Sequence, residues 1–290
     1  MSILVIGSTG TIGSLVVQGL AKQGAKVTAM VRQIGKAALP AGADGIVADL
    51  TDVASLRKAM TGVRTLFLLN ALAPDEVTQS LQALNVAREA GIKRIVYLSV
   101  INADKYPDVP HFTGKHTVER MIEQLELPAT ILRPAYFMQN DISIQPVIAG
   151  YGVFPMPIGS KGVAMVDARD IADIAVAELL RRDRAADALP LVTLDVAGPE
   201  LFTGESAAAV WSQALSRTIN YGGNDVAAFE AQLTQNHVPA WMAYDLRLMM
   251  ARIQQVGQIP VEGAVQKLEK ILGRPLRTYQ QFVAERVKEA

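Results

Sequence analysis

The stretch ILVIGSTGTIG, residues 3–13, places three glycines at intervals of three residues directly behind four apolar residues. A helical pattern follows from Thr11, and a second β-rich run begins at Val27. A strand, a glycine-rich turn and a helix in this order open a βαβ unit that holds phosphate groups. In such a turn Gly7 permits the sharp bend, Gly10 lets a pyrophosphate approach the backbone, and Gly13 lets the helix pack against the strands.

The first half of the chain alternates between short apolar runs and amphipathic segments. The runs predict buried strands at Ile3–Ile6, Val27–Val31, Gly45–Ala48, Thr65–Leu69, Ile95–Ser99 and Thr130–Leu132. The segments between them predict helices at Thr11–Gln23, Val53–Met60, Glu76–Ala90 and Thr113–Leu125. This alternation predicts an α/β fold with a doubly wound parallel sheet of the Rossmann type.

The alternation ends near Pro134, so the second half is expected to be organised differently. It predicts a short strand at Ala164–Val166, a helix at Asp170–Leu180 with Asp170 as its N-cap, and a strand at Leu191–Val196. The later helices are expected at Ser206–Leu215, Asp225–Gln235, Trp241–Ile253 and Tyr279–Lys288. We therefore expect a cofactor-binding core in residues 1–138, to which 163–198 return, and a smaller, mostly helical substrate lobe in 139–162 and 199–290.

Composition excludes several classes of protein. Twenty-eight basic and 28 acidic residues give a net charge of zero, which offers no basic surface for nucleic acid or an anionic membrane. Cysteine is absent, which excludes disulfides and thiolate sites, and the three histidines lack metal-ligand spacing. The start MSILVIG predicts no targeting leader, and no apolar stretch reaches the roughly 20 residues that a membrane helix needs. We expect a metal-free cytoplasmic protein, and a homodimer is left open.

The residues after the second and third predicted strands indicate which dinucleotide is bound. Enzymes that use NAD place an acidic residue about 20 residues after the glycines, where it contacts the ribose 2′-hydroxyl. This chain has Arg32 there, with Lys36 beyond it. A guanidinium can bind a 2′-phosphate through two hydrogen bonds, so Arg32 favours NADP(H), although an ordinary exposed arginine is the alternative. Asp49 and Leu50 are expected near the adenine, with a turn before the next helix as the alternative for Asp49.

The residues after the fourth strand lie at the same predicted edge of the sheet. Ligands of doubly wound sheets gather outside the carboxyl ends of the strands. Asn70 and Ala71 are therefore expected along the ribose and pyrophosphate path.

The stretch HFTGKHTVER, residues 111–120, leads into the predicted helix Thr113–Leu125 and decides the chemistry. Many dehydrogenases of this general type pair a tyrosine with a lysine four residues later, so that the tyrosine can donate a proton. Here Lys115 occupies the lysine position, but His111 stands in place of the tyrosine. Lys115 can bind the nicotinamide ribose, and an imidazole at His111 can donate a proton near neutral pH. The alternatives are an ion pair of Lys115 with Glu119 and a helix-boundary role for His111.

Together these motifs resemble the NmrA-like family of atypical short-chain dehydrogenases/reductases. The resemblance rests on GSTGTIG, VRQ, ADLTD, KRIVYLSV, TILRPAYFMQN and VDARDIADIA, over residues 1–180, and it is strongest to NADPH-dependent quinone reductases and triphenylmethane-dye reductases. It implies that Thr9, Thr11 and Ile12 join the three glycines around the pyrophosphate. It also places Asn70, Ser99, Lys115 and the Tyr136–Phe137 segment around the nicotinamide.

Two functions follow from this resemblance. The first is hydride transfer from NADPH to a quinone-like or other conjugated acceptor, a small apolar or aromatic molecule. That chemistry needs a positioned nicotinamide and an apolar slot more than it needs a catalytic tyrosine. The slot is expected to be lined by Phe137, Met138, Phe154, Met156 and Trp241. The second is redox sensing through a protein partner without turnover, since some relatives of this family only sense the nicotinamide state.

Overall fold

A computed structural model describes residues 2–33, 35 and 38–289 of the chain. Its main sheet has seven strands in the order β3-β2-β1-β4-β5-β6-β8. These strands are β1 (Ser2–Val5), β2 (Val27–Val31), β3 (Ala43–Val47), β4 (Val63–Leu68), β5 (Ile95–Leu98), β6 (Ala129–Pro134) and β8 (Val192–Val196). The neighbouring pairs from β3 through β6 are parallel. The predicted doubly wound α/β fold is confirmed.

The helices of the first two-thirds of the chain follow the strands in sequence. They are α1 (Thr11–Lys22), α2 (Val53–Met60), α3 (Glu76–Glu89), α4 (Pro110–Gln124), a 3-10 turn (Met138–Ile142), α5 (Gln145–Tyr151) and α6 (Ala168–Arg184). The predicted bounds of β2 and α2 agree with the structure. Helix α4 begins three residues before the predicted Thr113, since Pro110 is well suited to a first helical position.

The last third is mostly helical, as predicted. Its elements are α7 (Gly204–Leu215), β9 (Asn220–Tyr221), α8 (Val226–Gln235), α9 (Ala240–Val256), α10 (Ala264–Leu272) and α11 (Tyr279–Glu289). A two-stranded pair joins β9 to β7 (Val153–Phe154). Helix α10 and both short strands were not predicted. The predicted N-cap at Asp170 is wrong, because α6 already begins at Ala168 and places Asp170 in its first turn.

The chain divides into two compact units, Met1–Val100 with Gly114–Arg133 and Arg169–Leu194, and Ile101–Thr113 with Pro134–Ala168 and Asp195–Ala290. The predicted division counted residues 101–113 and 134–138 with the core, but both segments belong to the second unit. There the backbone N–H of Ile101 donates to the Pro134 carbonyl, and that of Ala135 donates to Val196. The division of labour between a cofactor core and a substrate lobe stays a prediction.

The first unit is built on an apolar core between its sheet and its helices. Leu4, Leu66, Leu84 and Ile131 are among its fully buried members. Helix α1 also packs closely on α6, because a Cβ at Gly19 would lie 2.8 Å from a Val176 methyl. The sheet edge that carries the predicted site residues is therefore fixed from both faces.

The core of the second unit contains a buried polar chain. The Tyr136 hydroxyl donates to Asp141 over 2.8 Å, the Tyr279 hydroxyl donates to the same carboxylate, and the Trp211 indole N–H donates to Tyr279 over 2.8 Å. Burial raises the pKa of the Asp141 carboxyl to about 6, although both tyrosine hydrogen bonds oppose the rise. These hydrogen bonds link α7, α11 and the segment after β6.

No described helix combines the length and the apolar character that crossing a bilayer requires.

Candidate functional site

The turn between β1 and α1 is so tight that two of its glycines are required by packing. Gly7 has a φ of +76°, and a Cβ there would lie 2.5 Å from the Leu69 carbonyl oxygen at the end of β4. A Cβ at Gly13 would overlap the Gly7 carbonyl oxygen. Side chains at these positions would push the turn away from β4 and the helix away from the turn.

Gly10 is different, because the fold does not require it. Its φ is −81°, and the nearest atom to an added Cβ would be the Gly7 oxygen at 3.5 Å, an ordinary contact. Gly10 is exposed and is the N-cap of α1, with no side chain capping the helix. The first turn of α1 contains no acidic residue. This helix end therefore presents backbone N–H groups and a positive dipole end beside a residue with no side chain.

The residues around Gly10 differ in what they can offer a ligand. Thr9 and Thr11 are exposed, so their hydroxyls are accessible. The Ile12 side chain is 3% exposed and belongs to the core, which leaves only its backbone for a contact. Ser8 is buried, and its hydroxyl donates to the Met30 carbonyl over 2.6 Å, which fixes the turn to β2.

Arg32 and Asp49 follow neighbouring strands and lie close enough to interact electrostatically. Arg32 directly follows β2 and is exposed. Hydrogen bonds from Thr51 lower the pKa of the Asp49 carboxyl, and the Arg32 charge lowers it further. The Asp49 carboxylate accepts the Thr51 N–H over 2.8 Å and its hydroxyl over 2.6 Å. Asp49 thus closes the turn before α2, the alternative role that the sequence left open.

The structure gives less support to three other predicted cofactor contacts at this edge of the sheet. Leu50 is partly buried against the core of the first unit, so its side chain already has a packing role. Ala71 is exposed and offers only its backbone and a methyl group. Lys36 lies outside the residues that the structure describes.

Asn70 and Ser99 carry buried polar atoms that lack partners. Asn70 is 6% exposed, and its amide nitrogen reaches Gln79 at 3.4 Å. Within the described part of the chain, neither the Asn70 Oδ1 nor the Ser99 hydroxyl has a hydrogen-bond partner. Leaving such groups unsatisfied costs about 1–3 kcal/mol each. These two positions, after β4 and β5, are where a polar ligand would restore the missing bonds.

Lys115 makes a nearly buried ion pair, but its partner is not the predicted one. Its Nζ lies 2.7 Å from Oε1 of Glu76, and the two side chains are 13% and 9% exposed. Glu119 instead accepts two hydrogen bonds from Arg133, over 2.9 and 2.6 Å. Glu76 is the first residue of α3, where the helix dipole stabilises a carboxylate.

Two residues that position Lys115 were missed by the sequence analysis. Glu76 was predicted only as the start of a helix, because a contact across 39 positions leaves no local signal. Gly114 stands inside a helix, and a Cβ there would lie 2.8 Å from a Val77 methyl. A glycine in a helix interior carries a cost, so its position before Lys115 was a usable signal of close helix packing.

In the second unit, His111 is held by a carboxylate on α9. The Asp245 side chain is 3% exposed, and its Oδ1 accepts the backbone N–H of His111 over 3.0 Å. Its Oδ2 binds Nδ1 of the same imidazole. The Phe112 ring stands edge-on to the imidazole, with centroids 4.7 Å apart. His111 is at a helix boundary, as the alternative interpretation held, yet its ring is also oriented by a buried acid.

The Tyr136–Phe137 segment offers less side-chain surface than the resemblance implies. Tyr136 is 5% exposed, and its hydroxyl is committed to Asp141. Its backbone N–H donates to Gln258 over 2.8 Å. Phe137 is half-buried and precedes the 3-10 turn. Both residues belong to the second unit, and their contact with a cofactor stays a prediction.

The chain matches the NmrA-like family over residues 1–282. It belongs to this family. The match spans the glycine turn, the Lys115 helix and nearly all of the helical tail, which the sequence motifs alone did not reach. Membership confirms the resemblance read from the first 180 residues.

Several proteins that the chain matches over nearly its full length are named as reductases. The chain is 32% identical to an NAD(P)H azoreductase of Xenophilus azovorans, over 97% of this chain and 96% of that one. It is also similar to an NADPH-dependent quinone oxidoreductase of Escherichia coli crystallised with NADPH, with a TM-score of 0.85 and 26% identity over 100% and 99% of the two chains. A triphenylmethane reductase of Citrobacter sp. has the same fold, with a TM-score of 0.85 at 23% identity over 99% and 100%.

The contrast between Gly10 and Gly13 can be tested with two alanine variants. Gly13→Ala should lower the free energy of unfolding by about 1–3 kcal/mol, because its methyl group overlaps the Gly7 carbonyl. Gly10→Ala should leave the free energy of unfolding unchanged or raise it by roughly 0.5 kcal/mol. Its methyl group should nevertheless weaken NADPH binding about tenfold or more. Denaturant unfolding measures the change in stability, and calorimetric titration measures the NADPH affinity. If Gly10→Ala binds NADPH as tightly as wild type, the turn is not part of the NADPH site.

Proposed function

We propose that this protein is an NADP(H)-dependent oxidoreductase that reduces a quinone-like or other conjugated, aromatic acceptor. Bound NADPH would supply a hydride, and the protein would position the dinucleotide and the acceptor. The observation that carries the proposal is the set of unsatisfied groups at one sheet edge. The Gly10 helix end, the Asn70 Oδ1 and the Ser99 hydroxyl all follow strands of the first unit and need polar partners.

These groups suit a dinucleotide because they match its parts in order. The helix end at Gly10 suits the pyrophosphate, since N–H groups and a dipole end favour an anion. Arg32 suits a 2′-phosphate, which a guanidinium can bind through two hydrogen bonds. Asn70, Ser99 and Lys115 suit the hydroxyl and amide groups of the nicotinamide half. The full-length similarity to an NAD(P)H azoreductase supports the same cofactor.

The ion pair with Glu76 explains how Lys115 can bind the cofactor without a neighbouring tyrosine. A nearly buried ammonium is costly unless it is paired, and the Glu76 carboxylate at 2.7 Å pairs with it and fixes its position. Two N–H bonds of the ammonium remain for ribose hydroxyls. In this proposal Lys115 holds the cofactor, and the hydride goes to an acceptor that needs no polarised carbonyl.

The acceptor site is proposed in the second unit, with a smaller lining than the sequence predicted. Met138, Phe154 and Met156 are at most 8% exposed and belong to the core of that unit. Phe137 is half-buried, and Trp241 is 40% exposed. These two aromatic rings are the accessible members of the predicted slot, and they favour a flat aromatic acceptor.

Redox sensing without turnover stays the second hypothesis. It predicts different affinities for NADPH and NADP⁺ and a protein partner. The reductase proposal is better supported, because the azoreductase and the quinone oxidoreductase, which match the whole chain at 32% and 26% identity, are both named for reduction.

The choice of cofactor is tested by Arg32→Glu. Reversing this charge should weaken NADPH binding roughly ten- to hundredfold, the range of one or two lost charged hydrogen bonds. NADH binding should change by about twofold or less, because NADH has no 2′-phosphate. Arg57→Glu, another exposed arginine of the first unit, serves as the control. Equal losses for both cofactors would refute the 2′-phosphate assignment.

Two variants separate the effect of Lys115 on NADPH oxidation from its effect on the stability of the protein. Lys115→Met should leave Glu76 buried without a partner and lower the free energy of unfolding by about 3 kcal/mol. The double variant Lys115→Met/Glu76→Gln should regain most of that stability, because no unpaired charge remains. Both variants should oxidise NADPH about tenfold or more slowly with menadione as acceptor. A stable double variant with the wild-type rate would make Lys115 purely structural. If the wild-type protein fails to oxidise NADPH with every quinone and dye tested, the reductase proposal is wrong.

A further inference from the structure

We infer that His111 and Asp245 form a proton-delivery pair, in which His111 protonates the acceptor after it receives a hydride and Asp245 positions His111. The inference rests on the proposed reductase function. It adds a residue, Asp245, that the sequence motifs do not include.

The geometry at His111 is more than a helix cap requires. One oxygen of Asp245 accepts the His111 backbone N–H over 3.0 Å, which is enough to cap the start of α4. The other oxygen binds the imidazole at Nδ1. A carboxylate on Nδ1 fixes the ring orientation and holds a proton on that nitrogen, so that Nε2 is the nitrogen left to pass a proton to a ligand.

The surroundings of the pair suit an aromatic acceptor. Trp241 lies four residues before Asp245 on α9, so the two occupy the same face of the helix one turn apart. Asp245 is 2% exposed, whereas Trp241 is 40% exposed. The adjoining Tyr244 is 48% exposed, with the Arg247 guanidinium 4.8 Å from its ring centroid. Two exposed aromatic rings thus lie on α9 within about one turn of the buried acid, and exposed rings can stack on an aromatic acceptor.

The chemistry of acceptors gives the pair a defined task. A quinone that gains a hydride, two electrons and one hydrogen nucleus, becomes a hydroquinone monoanion. The imidazolium N–H bond then breaks, its proton forms an O–H bond on that anion, and the neutral imidazole takes a proton from water. Positioned proton donors commonly contribute about 10²–10⁴ in rate. A triarylmethyl cation that gains a hydride becomes a neutral molecule and requires no proton.

This difference provides the experiment. Menadione and crystal violet, a triarylmethyl cation, are compared as acceptors for the NADPH-loaded full-length protein. The Asn side chain of His111→Asn can still donate an N–H to Asp245, and the backbone cap is unchanged. Its amide N–H is not acidic, so it cannot protonate the acceptor. The variant should reduce menadione at least about tenfold more slowly. Its rate with crystal violet should stay within about twofold of wild type.

Asp245→Asn tests the positioning role. Its amide oxygen still accepts the His111 backbone N–H, but the carboxylate oxygen that binds Nδ1 and orients the ring is gone. This variant should slow the reduction of menadione more than the reduction of crystal violet, and the loss with menadione should be smaller than in His111→Asn. It should also remove part of the solvent deuterium isotope effect on menadione reduction. Asp108→Asn and His237→Asn are matched controls, because both residues are exposed in the second unit and neither contacts the pair.

The outcomes separate the inference from the function it rests on. Equal losses with both acceptors, or no loss with either, would overturn the proton-delivery role while the reductase function stands. Wild-type protein that reduces neither acceptor would overturn the reductase function and the inference with it. Thermal unfolding shows that each variant is folded at the assay temperature. The NADPH Kd of each variant, expected within about twofold of wild type, shows that the losses are not due to weaker cofactor binding.

Discussion

The Gly7 carbonyl oxygen fills the space that a side chain at Gly13 would occupy, and the Leu69 carbonyl lies 2.5 Å from the Cβ position of Gly7. Three backbone segments therefore meet with no side chain between them, at the point where the order of strands in the sheet reverses. This close approach holds the start of α1 beside the end of β4 and leaves the Gly10 helix end open. The first unit thus acquires a site for an anion as a consequence of how its backbone packs.

Two ion pairs fix side chains of α4, one in each unit. Glu76 holds Lys115 in the first unit, and Asp245 holds His111 in the second. In both cases a buried carboxylate from a distant part of the sequence fixes a cationic or titratable residue of α4. In the proposed mechanism the first pair serves cofactor binding and the second serves proton transfer.

The periodic part of the fold could be predicted from the sequence, and the contacts that orient side chains could not. Apolar runs and glycine stops identified β1 through β6 and α1 through α4 to within a few residues, because those signals are local. The short pair of β7 and β9 has two residues in each strand, too few for a period. The partner of Lys115 was mistaken because Glu119 fits the helical spacing, whereas Glu76 is reached only through the tertiary fold.

The central claim is that the protein moves a hydride directly from NADPH to its acceptor. The most direct measurement uses NADPH carrying deuterium at C4 of the nicotinamide, one stereoisomer at a time, with crystal violet as acceptor. Mass spectrometry and NMR of the product then locate the label. We predict one deuterium on the central carbon of the reduced dye from one stereoisomer and none from the other. A reduced dye without deuterium from either stereoisomer would contradict direct transfer.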